Sequence, residues 1–434
     1  MTHRGQMLDS ASLRSRRAAL GVIIFLSTLP LQWQVLAPTP VGQVRYFHLG
    51  ALMMIAIARP EITQVRVLLR KASPATAAMV VLTIFAVLTA LIHGGLWANP
   101  IQHAAYFVVG VVFATALFIA LSHPAGKARL VWAAPVAVIT FLIIFSRTLQ
   151  TAGIDPVETF QRAISSGDPD VIIFGLFRAA FATSDQDEVR ANIRHEIFAA
   201  LLVAVYTTCL AKKVSARAAV IAGTGVIAAV VLVMVSLSRA STFAALLVVI
   251  AVATRVVLRN FLSRGTLAVF GALLIASLLT GPRFANLLYR RFFEDTQSYE
   301  SRLDTYAYSN VDLFQRVLLG GPELEVSTHV MATDMLLRGG FVAGMAALIL
   351  MVIFVGRTAT AFTRYLEDLS LANLSAFGAG ALVVVRSMTA GGGYLGQVEW
   401  AAFGVLVAVA MSAANSSRTA EAEPTVSPTI ASNP

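Results

Sequence analysis

The chain has 434 residues, of which 57% are hydrophobic and only 13% are charged, with a mean hydropathy of +0.75. Soluble domains usually carry about 25% charged residues, so this composition excludes a cytosolic enzyme, a disordered scaffold and a secreted disulfide domain. The apolar runs are continuous rather than alternating, which disfavours a transmembrane β-barrel. The sequence therefore predicts an all-α polytopic membrane protein.

The net charge of +10 arises from 33 Lys and Arg against 23 Asp and Glu. In a membrane protein such an excess collects in cytoplasmic loops and fixes orientation, so it does not indicate nucleic-acid binding here. The single cysteine, Cys209, lies in an apolar run. One cysteine excludes an intramolecular disulfide and a thiolate metal cluster.

Twelve segments are apolar enough to be membrane-spanning helices, which need about 17–25 residues. The arginine-rich segment 1–17 lacks a small-residue cleavage site after it, so we interpret it as a cytoplasmic N-terminus followed by a retained first helix. The second and ninth predicted spans are short. The predicted spans are 18–37, 43–58, 75–94, 101–121, 130–149, 195–211, 216–236, 241–257, 266–281, 334–355, 371–388 and 397–415.

The distribution of Lys and Arg supports this count. With a cytoplasmic N-terminus, the inside ends and loops hold most of these residues, whereas the four short outside loops hold only Arg45, Arg239 and Arg386. This asymmetry is typical of helical membrane proteins and places both termini in the cytoplasm. Residues 18–415 thus form the predicted transmembrane domain.

Two long loops, 150–194 and 282–333, fall on the predicted outside. Long loops usually carry function or serve as linkers. The second loop is too rich in Phe and Tyr for a disordered segment, so we expect one or two amphipathic helices on the outer membrane surface at 284–318. The last segment, 416–434, is rich in Ser, Thr, Pro and Ala and is expected to be a disordered cytoplasmic tail.

The position of Arg239 requires an explanation, because arginine is disfavoured in short outside loops. It lies between Ser238 and Ser241 in a hairpin-like junction. A guanidinium at membrane depth is a planar, permanently charged donor that suits phosphate oxygens. The alternative is an interfacial anchor that pairs with lipid headgroups, and both interpretations remain open.

The end of the second long loop holds further polar motifs. His329 precedes a predicted span, where an imidazole can accept a proton near neutral pH; a structural role is the alternative. Glycine pairs at 320–321 and 339–340 allow close backbone approach or tight turns. In chain order the motifs are Ser301-Arg302-Leu303-Asp304-Thr305-Tyr306, Leu319-Gly320-Gly321-Pro322, Ser327-Thr328-His329-Val330 and Leu336-Leu337-Arg338-Gly339-Gly340-Phe341.

Together with the Ser-Arg-Ala-Ser hairpin at 238–241, these motifs resemble, in order and spacing, the O-antigen ligase and O-antigen polymerase superfamily of bacterial inner-membrane glycosyltransferases. The resemblance covers about residues 236–345. The chain departs from the family pattern at Val330, where many relatives have a small polar residue. It also has Gly320-Gly321-Pro322 in place of the usual Gly-x-Gly.

The resemblance implies transfer of a glycan from an undecaprenyl-diphosphate carrier to an acceptor hydroxyl on the periplasmic face, with inversion and without metal or other cofactor. Arg239 and Arg302 would neutralise the diphosphate, and His329 would orient or deprotonate the acceptor. The acceptor is a lipid such as lipid A-core or a growing glycan, so ligase and polymerase both stay open. Residues expected to bind diphosphate or glycan are Arg290, Arg291, Ser238, Ser241, Asp304 and Tyr306.

Several residues also have a simpler interpretation. Arg290 and Arg291 are adjacent and would equally bind anionic lipid, and Asp304 would equally form a surface ion pair with Arg302. His48, His93 and His103 lie near outer span ends, where structural roles are expected first. Arg386 and Glu399 are expected to pair between neighbouring helices or to line the acceptor cavity.

The competing function is a polytopic transporter or a flippase for a lipid-linked oligosaccharide. Transporters usually show internal repeats, broken central helices and charges at the bilayer midplane. Here no internal repeat is recognised, and the charges concentrate at the predicted outer interface. An assembly partner in cell-envelope synthesis is a third possibility.

Overall fold

The computed structural model describes residues 2–31, 35–39, 42–93, 98–151, 330–389 and 396–422, with scattered positions between 155 and 321. This part of the chain is 90% helical. The predicted spans between 195 and 281 and both long loops lie outside it, apart from those scattered positions. The elements are α1 (Thr2–Thr28), β1 (Val35–Thr39), β2 (Gly42–Arg45), α2 (Tyr46–Ala58), α3 (Ile62–Lys71), α4 (Ser73–Ile92), α5 (Ala98–Leu121), α6 (Pro124–Leu130), α7 (Ala133–Thr151), α8 (Met331–Asp368), α9 (Leu371–Thr389) and α10 (Gln397–Ala422).

Four helical stretches within the described residues have the length and composition to cross a membrane. The apolar parts of α2, α9 and α10 are shorter than 18 residues. The prediction of an all-α membrane protein is therefore confirmed, whereas the count of twelve spans stays a prediction. The four stretches are Ser73–Ile92, Pro100–Leu121, Pro124–Ile143 and Met331–Asp368.

The last three described helices begin close to their predicted positions, but α8 and α10 extend further along the chain. The predicted span 334–355 lies inside α8, which continues to Asp368. Leu369 ends it with a left-handed φ of 49° and donates its N–H to the Tyr365 carbonyl at 2.7 Å. Helix α10 runs to Ala422, into the segment predicted to be a disordered tail.

The segment between the first two predicted spans differs from the sequence-based expectation. Helix α1 ends at Thr28 rather than near residue 37, and β1 and β2 form an antiparallel hairpin before α2. The physical reason is proline: Pro30, Pro38 and Pro40 cannot continue a helix, because proline lacks a backbone N–H and clashes with the preceding turn. The hairpin lies where α2 begins.

Helix α3 lies in what the sequence predicts as an inside loop. Its apolar side packs on the bundle through Val65, Leu68 and Leu69. Both of its ends are held by arginines from other helices. Arg14 pairs with Glu61 just before α3 at 2.8 Å, and Arg357 of α8 donates to the carbonyl of Lys71 at 3.2 Å.

The larger helices form one continuous packed core. Helices α4, α8, α9, α10 and α5 contact one another in a closed ring, and α1 joins α5 to α2, α6 and α7. Small residues allow close approach, as is typical of membrane helices. A Cβ at Gly110 of α5 would lie 2.8 Å from the Trp400 carbonyl oxygen of α10.

Candidate functional site at the outer end of the bundle

One end of the bundle concentrates the polar chemistry of the described residues. We call it the outer end: α4 and α9 end there, and α5, α8 and α10 begin there. The name follows the orientation that the distribution of Lys and Arg predicts. The three buried acidic or basic side chains among the described residues all lie within the first or last turns at this end: Asp334, Arg386 and Glu399.

The residues that the sequence proposes for catalysis and binding lie outside the described residues. These are His329, Arg239, Arg302, Arg290, Arg291, Ser238, Ser241, Asp304 and Tyr306. The described residues nearest to His329 along the chain are Gly320 and Gly321, before it, and the segment from Val330 onward, after it. The geometry of those flanking segments is therefore what bears on the predicted site.

The two glycine motifs pack directly against each other. Gly320 and Gly340 adopt left-handed backbone conformations, with φ of 69° and 74°. A Cβ on Gly320 would lie 2.4 Å from the Arg338 carbonyl oxygen, and one on Gly340 would lie 2.6 Å from the Leu318 carbonyl oxygen. Only glycine fits both the conformation and the space. We call this contact the glycine junction.

Helix α8 is interrupted at the glycine junction. Gly340 has non-helical dihedral angles inside α8, so residues before and after it form two helical segments. The first segment carries a salt bridge in which Arg338 Nε lies 3.2 Å from Asp334 Oδ2. Asp334 is fully buried and the Arg338 side chain is 18% exposed. A buried carboxylate beside a guanidinium is retained as a charged pair, because either charge alone would be costly at this depth.

A second buried ion pair joins α9 to α10. Arg386 Nε lies 2.7 Å from Glu399 Oε1, and the two side chains are 9% and 4% exposed. The other carboxylate oxygen accepts a hydrogen bond from the backbone N–H of Gly396 at 3.0 Å. The structure thus shows the interhelical pair that the sequence offered as one of two interpretations.

An aromatic and amide cluster surrounds Tyr106 on α5. Gln102 Nε2 donates to the Tyr106 hydroxyl at 2.6 Å, and the Gln397 side chain of α10 lies close enough to this hydroxyl to interact with it electrostatically. The His48 ring stacks on the Tyr106 ring with 5.9 Å between centroids. The backbone N–H of Arg45 donates to His48 Nδ1 at 2.9 Å.

Sequence reasoning missed Asp334, Gln102, Tyr106 and Gln397 as members of this outer polar region. The available signal was the position of each polar residue within one or two turns of a predicted outer helix end. That signal is weak, since such residues also occur as simple interfacial anchors.

The described residues contain no group of three or more His, Cys, Asp or Glu side chains arranged to hold a metal ion. The loops that carry the predicted site residues are not among these described residues. No known family model matches the chain, and no curated protein matches it significantly. Composition and described helices therefore establish a helical membrane protein, and within its described part the buried charges lie at one end of the bundle.

Proposed function

We propose that the protein is a glycosyltransferase that acts at the periplasmic face of the inner membrane. It moves a glycan from an undecaprenyl-diphosphate carrier to an acceptor hydroxyl, in the manner of O-antigen ligases and polysaccharide polymerases. The expected location is the inner membrane of a bacterium, with the site facing the periplasm and both termini cytoplasmic. The partners are the carrier-linked glycan, membrane lipids and an acceptor, either a lipid such as lipid A-core or a growing glycan.

The observation that carries the proposal is the glycine junction. The resemblance to the superfamily depends on a glycine pair before His329 and a second glycine pair after it. These two pairs, far apart within the motif, contact each other through Gly320 and Gly340. A contact between the two motifs is expected if they form one site, and it supports the interpretation of 236–345 as a functional unit.

The proposed reaction is a single displacement. The acceptor oxygen attacks the anomeric carbon of the carrier-linked sugar from the face opposite the diphosphate. The new glycosidic bond forms as the bond from that carbon to the phosphate oxygen breaks, so the configuration inverts. His329 orients the acceptor hydroxyl and takes its proton, and the undecaprenyl diphosphate leaves with the bonding electron pair.

The arginines stabilise the negative charge on the leaving group. Arg239 and Arg302 neutralise the negative charge that grows on the diphosphate as the bond breaks. A guanidinium is suited to this because it offers planar, paired donors to phosphate oxygens. The remaining proposed contacts to diphosphate or glycan come from Arg290, Arg291, Ser238, Ser241, Asp304 and Tyr306.

Reconstitution tests the proposal. Purified full-length protein in proteoliposomes receives carrier-linked glycan extracted from cells that lack the protein, and transfer is followed by mass spectrometry of the carrier. Wild-type protein should release bare undecaprenyl diphosphate and extend the acceptor. His329→Ala and Arg239→Ala should each lower the rate by at least about a hundredfold, the scale of a lost general base or charge-stabilising donor.

Matched controls at the opposite end of the bundle are His123→Asn and Arg364→Ala. His123 caps α6 by accepting from the Ala125 N–H at 3.1 Å, and asparagine keeps a capping acceptor. Both controls should retain wild-type transfer. Full transfer by His329→Ala and Arg239→Ala would remove the site assignment, and no transfer by wild type would remove the enzyme proposal.

A specific observation also favours the second candidate, a transporter or flippase for a lipid-linked oligosaccharide. Helix α8 is interrupted at Gly340, and broken helices are common at transporter binding sites. The same proteoliposomes separate the two functions. A flippase would move the carrier-linked glycan between leaflets without shortening or lengthening it, whereas the proposed enzyme changes the carrier-linked pool.

A further inference from the structure

The cluster around Tyr106 has hydrogen-bonding capacity that packing does not use. We call the Tyr106 cluster the side chains of Arg45, His48, Gln102, Tyr106 and Gln397. They come from β2, α2, α5 and α10 and meet at the outer end of the bundle. Tyr106 and Gln397 are buried, whereas the other three are only partly buried. The cluster therefore reaches from the core to the surface.

Two members of the cluster keep a polar atom that nothing among the described residues engages. Nδ1 of His48 accepts a hydrogen bond, so the neutral ring carries its proton on Nε2. Within the described part of the chain, neither this Nε2–H nor Oε1 of Gln102 has a hydrogen-bond partner. One is a donor and the other an acceptor, and both lie beside the same tyrosine.

A purely structural role accounts for only half of the cluster. The polar contact between Gln397 and the Tyr106 hydroxyl joins α10 to α5, and membrane proteins use interhelical contacts of this kind for packing. That contact requires neither His48 nor Gln102. His48 and Gln102 are only partly buried, so their remaining polar atoms can be reached by a ligand at the outer end of the bundle.

The chemistry of the cluster fits a carbohydrate. A sugar hydroxyl is both a donor and an acceptor, so it can donate to Gln102 Oε1 and accept from His48 Nε2–H. The guanidinium of Arg45 lies within electrostatic range of both His48 and Tyr106 and gives the cluster a positive charge.

We propose that the Tyr106 cluster binds the membrane-proximal sugar of the carrier-linked glycan. The inference rests on the proposed function, since it names where part of that substrate is held. It assigns a binding role to residues outside the segment 236–345 on which the resemblance depends. The cluster is a specificity element: it recognises the sugar and takes no part in breaking the bond to phosphate.

The test compares two probes on full-length protein in lipid nanodiscs. One probe is the undecaprenyl-diphosphate glycan extracted from cells that lack the protein, and the other is undecaprenyl diphosphate without sugar. The double variant His48→Ala/Gln102→Ala should bind the glycan-bearing probe about tenfold more weakly, the scale of two lost hydrogen bonds. Binding of the sugar-free probe should stay unchanged, which also shows that the variant is folded.

The control variant is Gln64→Ala/His123→Asn, which changes the same residue types at the opposite end of the bundle. It should bind both probes like wild type. Where the double alanine variant does not fold, Gln102→Met keeps the side-chain volume while removing the amide, and it should still weaken glycan binding severalfold.

If a folded variant binds the glycan-bearing probe as tightly as wild type does, the inference is overturned. Equal wild-type affinity for the two probes also overturns it, while transfer activity in proteoliposomes would leave the proposed function standing. Failure of wild type to bind either probe or to transfer glycan would overturn both proposals together.

Discussion

The two ends of the helix bundle treat charge differently. At the outer end, Asp334, Arg386 and Glu399 are buried, and each lies in an ion pair. At the inner end, the described charges are mostly on the surface, as in the pair between Arg14 and Glu61, whose side chains are 60% and 52% exposed. Exposed charge is sufficient to fix orientation, whereas buried charge at membrane depth has to be used or compensated.

The ion pairs at the two ends therefore contribute differently to the free energy of unfolding. An exposed ion pair contributes little, because water and salt screen it. A buried pair is costly to create and more costly to break. The outer end also holds the glycine junction and the Tyr106 cluster. Buried ionisable groups at membrane depth are concentrated at functional sites, so this end is where substitutions should separate function from folding.

Breaking the buried Arg386–Glu399 pair should have the largest effect on stability of the substitutions considered. Glu399→Ala leaves the Arg386 guanidinium buried without its counter-charge, which should cost about 3–5 kcal/mol of stability. Thermal unfolding in detergent measures the loss. The double variant Arg386→Met/Glu399→Leu should recover most of it, because it removes both charges.

The matched change at the inner end is Glu61→Ala, which breaks the exposed pair with Arg14 and should cost less than about 1 kcal/mol. If the Glu399→Ala and Glu61→Ala losses were equal, the two ends would not differ in how they hold charge. A Glu399→Ala protein that unfolds like wild type would give the same answer.

The glycine junction gives the next largest effect. Gly340→Ala forces a Cβ into a left-handed backbone position and to within 2.6 Å of the Leu318 carbonyl oxygen, so we expect a loss of about 2–3 kcal/mol. Urea unfolding of the purified protein measures it. Transfer activity should fall further than stability alone explains, because the junction joins both motifs.

Gly356→Ala on the same helix is the control. A Cβ at Gly356 meets no atom within 4 Å, so alanine should stabilise α8 by about 0.5–1 kcal/mol through its higher helix propensity. Equal effects of the two glycine substitutions would show that the junction imposes no constraint of its own.

A pair of buried tyrosines provides the smallest and most selective comparison. Tyr106→Phe removes the hydroxyl that accepts a hydrogen bond from Gln102 at the outer end. Tyr365→Phe removes the hydroxyl that donates to the Ala251 carbonyl at 2.9 Å. Each change should cost about 1–2 kcal/mol in thermal unfolding, because each leaves a buried polar group without its partner.

Glycan binding, rather than stability, should distinguish the two tyrosine variants. Tyr106→Phe should raise the KM for carrier-linked glycan while leaving kcat nearly unchanged, because Gln102 loses the contact that orients it. Tyr365→Phe should leave both kinetic constants at wild-type values. A KM that rises equally in both variants would show that the effect is a general loss of packing.

The helices that the sequence predicted well are those with long, uninterrupted apolar runs. Predicted spans at 75–94, 101–121 and 371–388 correspond to α4, α5 and α9. Membrane helices depend on the summed transfer free energy of a local window, so local sequence suffices to find them. The hairpin of β1 and β2 was missed because strands of five and four residues are shorter than the window that hydropathy needs to find a span.

In the candidate site, too, some features could be predicted from local sequence and others could not. The glycine pairs around residues 320 and 340 were visible in the sequence as motifs, and a pair between Arg386 and Glu399 was expected. The geometry of these contacts could not be predicted, because it depends on atoms that are distant along the chain. Asp334, Gln102 and Gln397 carried no distinctive motif, so their burial became evident only from the packing of α4, α5, α8 and α10.

The sequence by itself determined that this chain is a basic, helical membrane protein, because composition and local apolar length set its solvent. It also indicated the orientation, because positive charge accumulates on the cytoplasmic side. Only the tertiary structure decided which of the described charges are buried together at one end, where α8 is interrupted and which polar side chains meet at Tyr106. Those features arise from contacts between distant segments, and local hydropathy carries no information about such contacts.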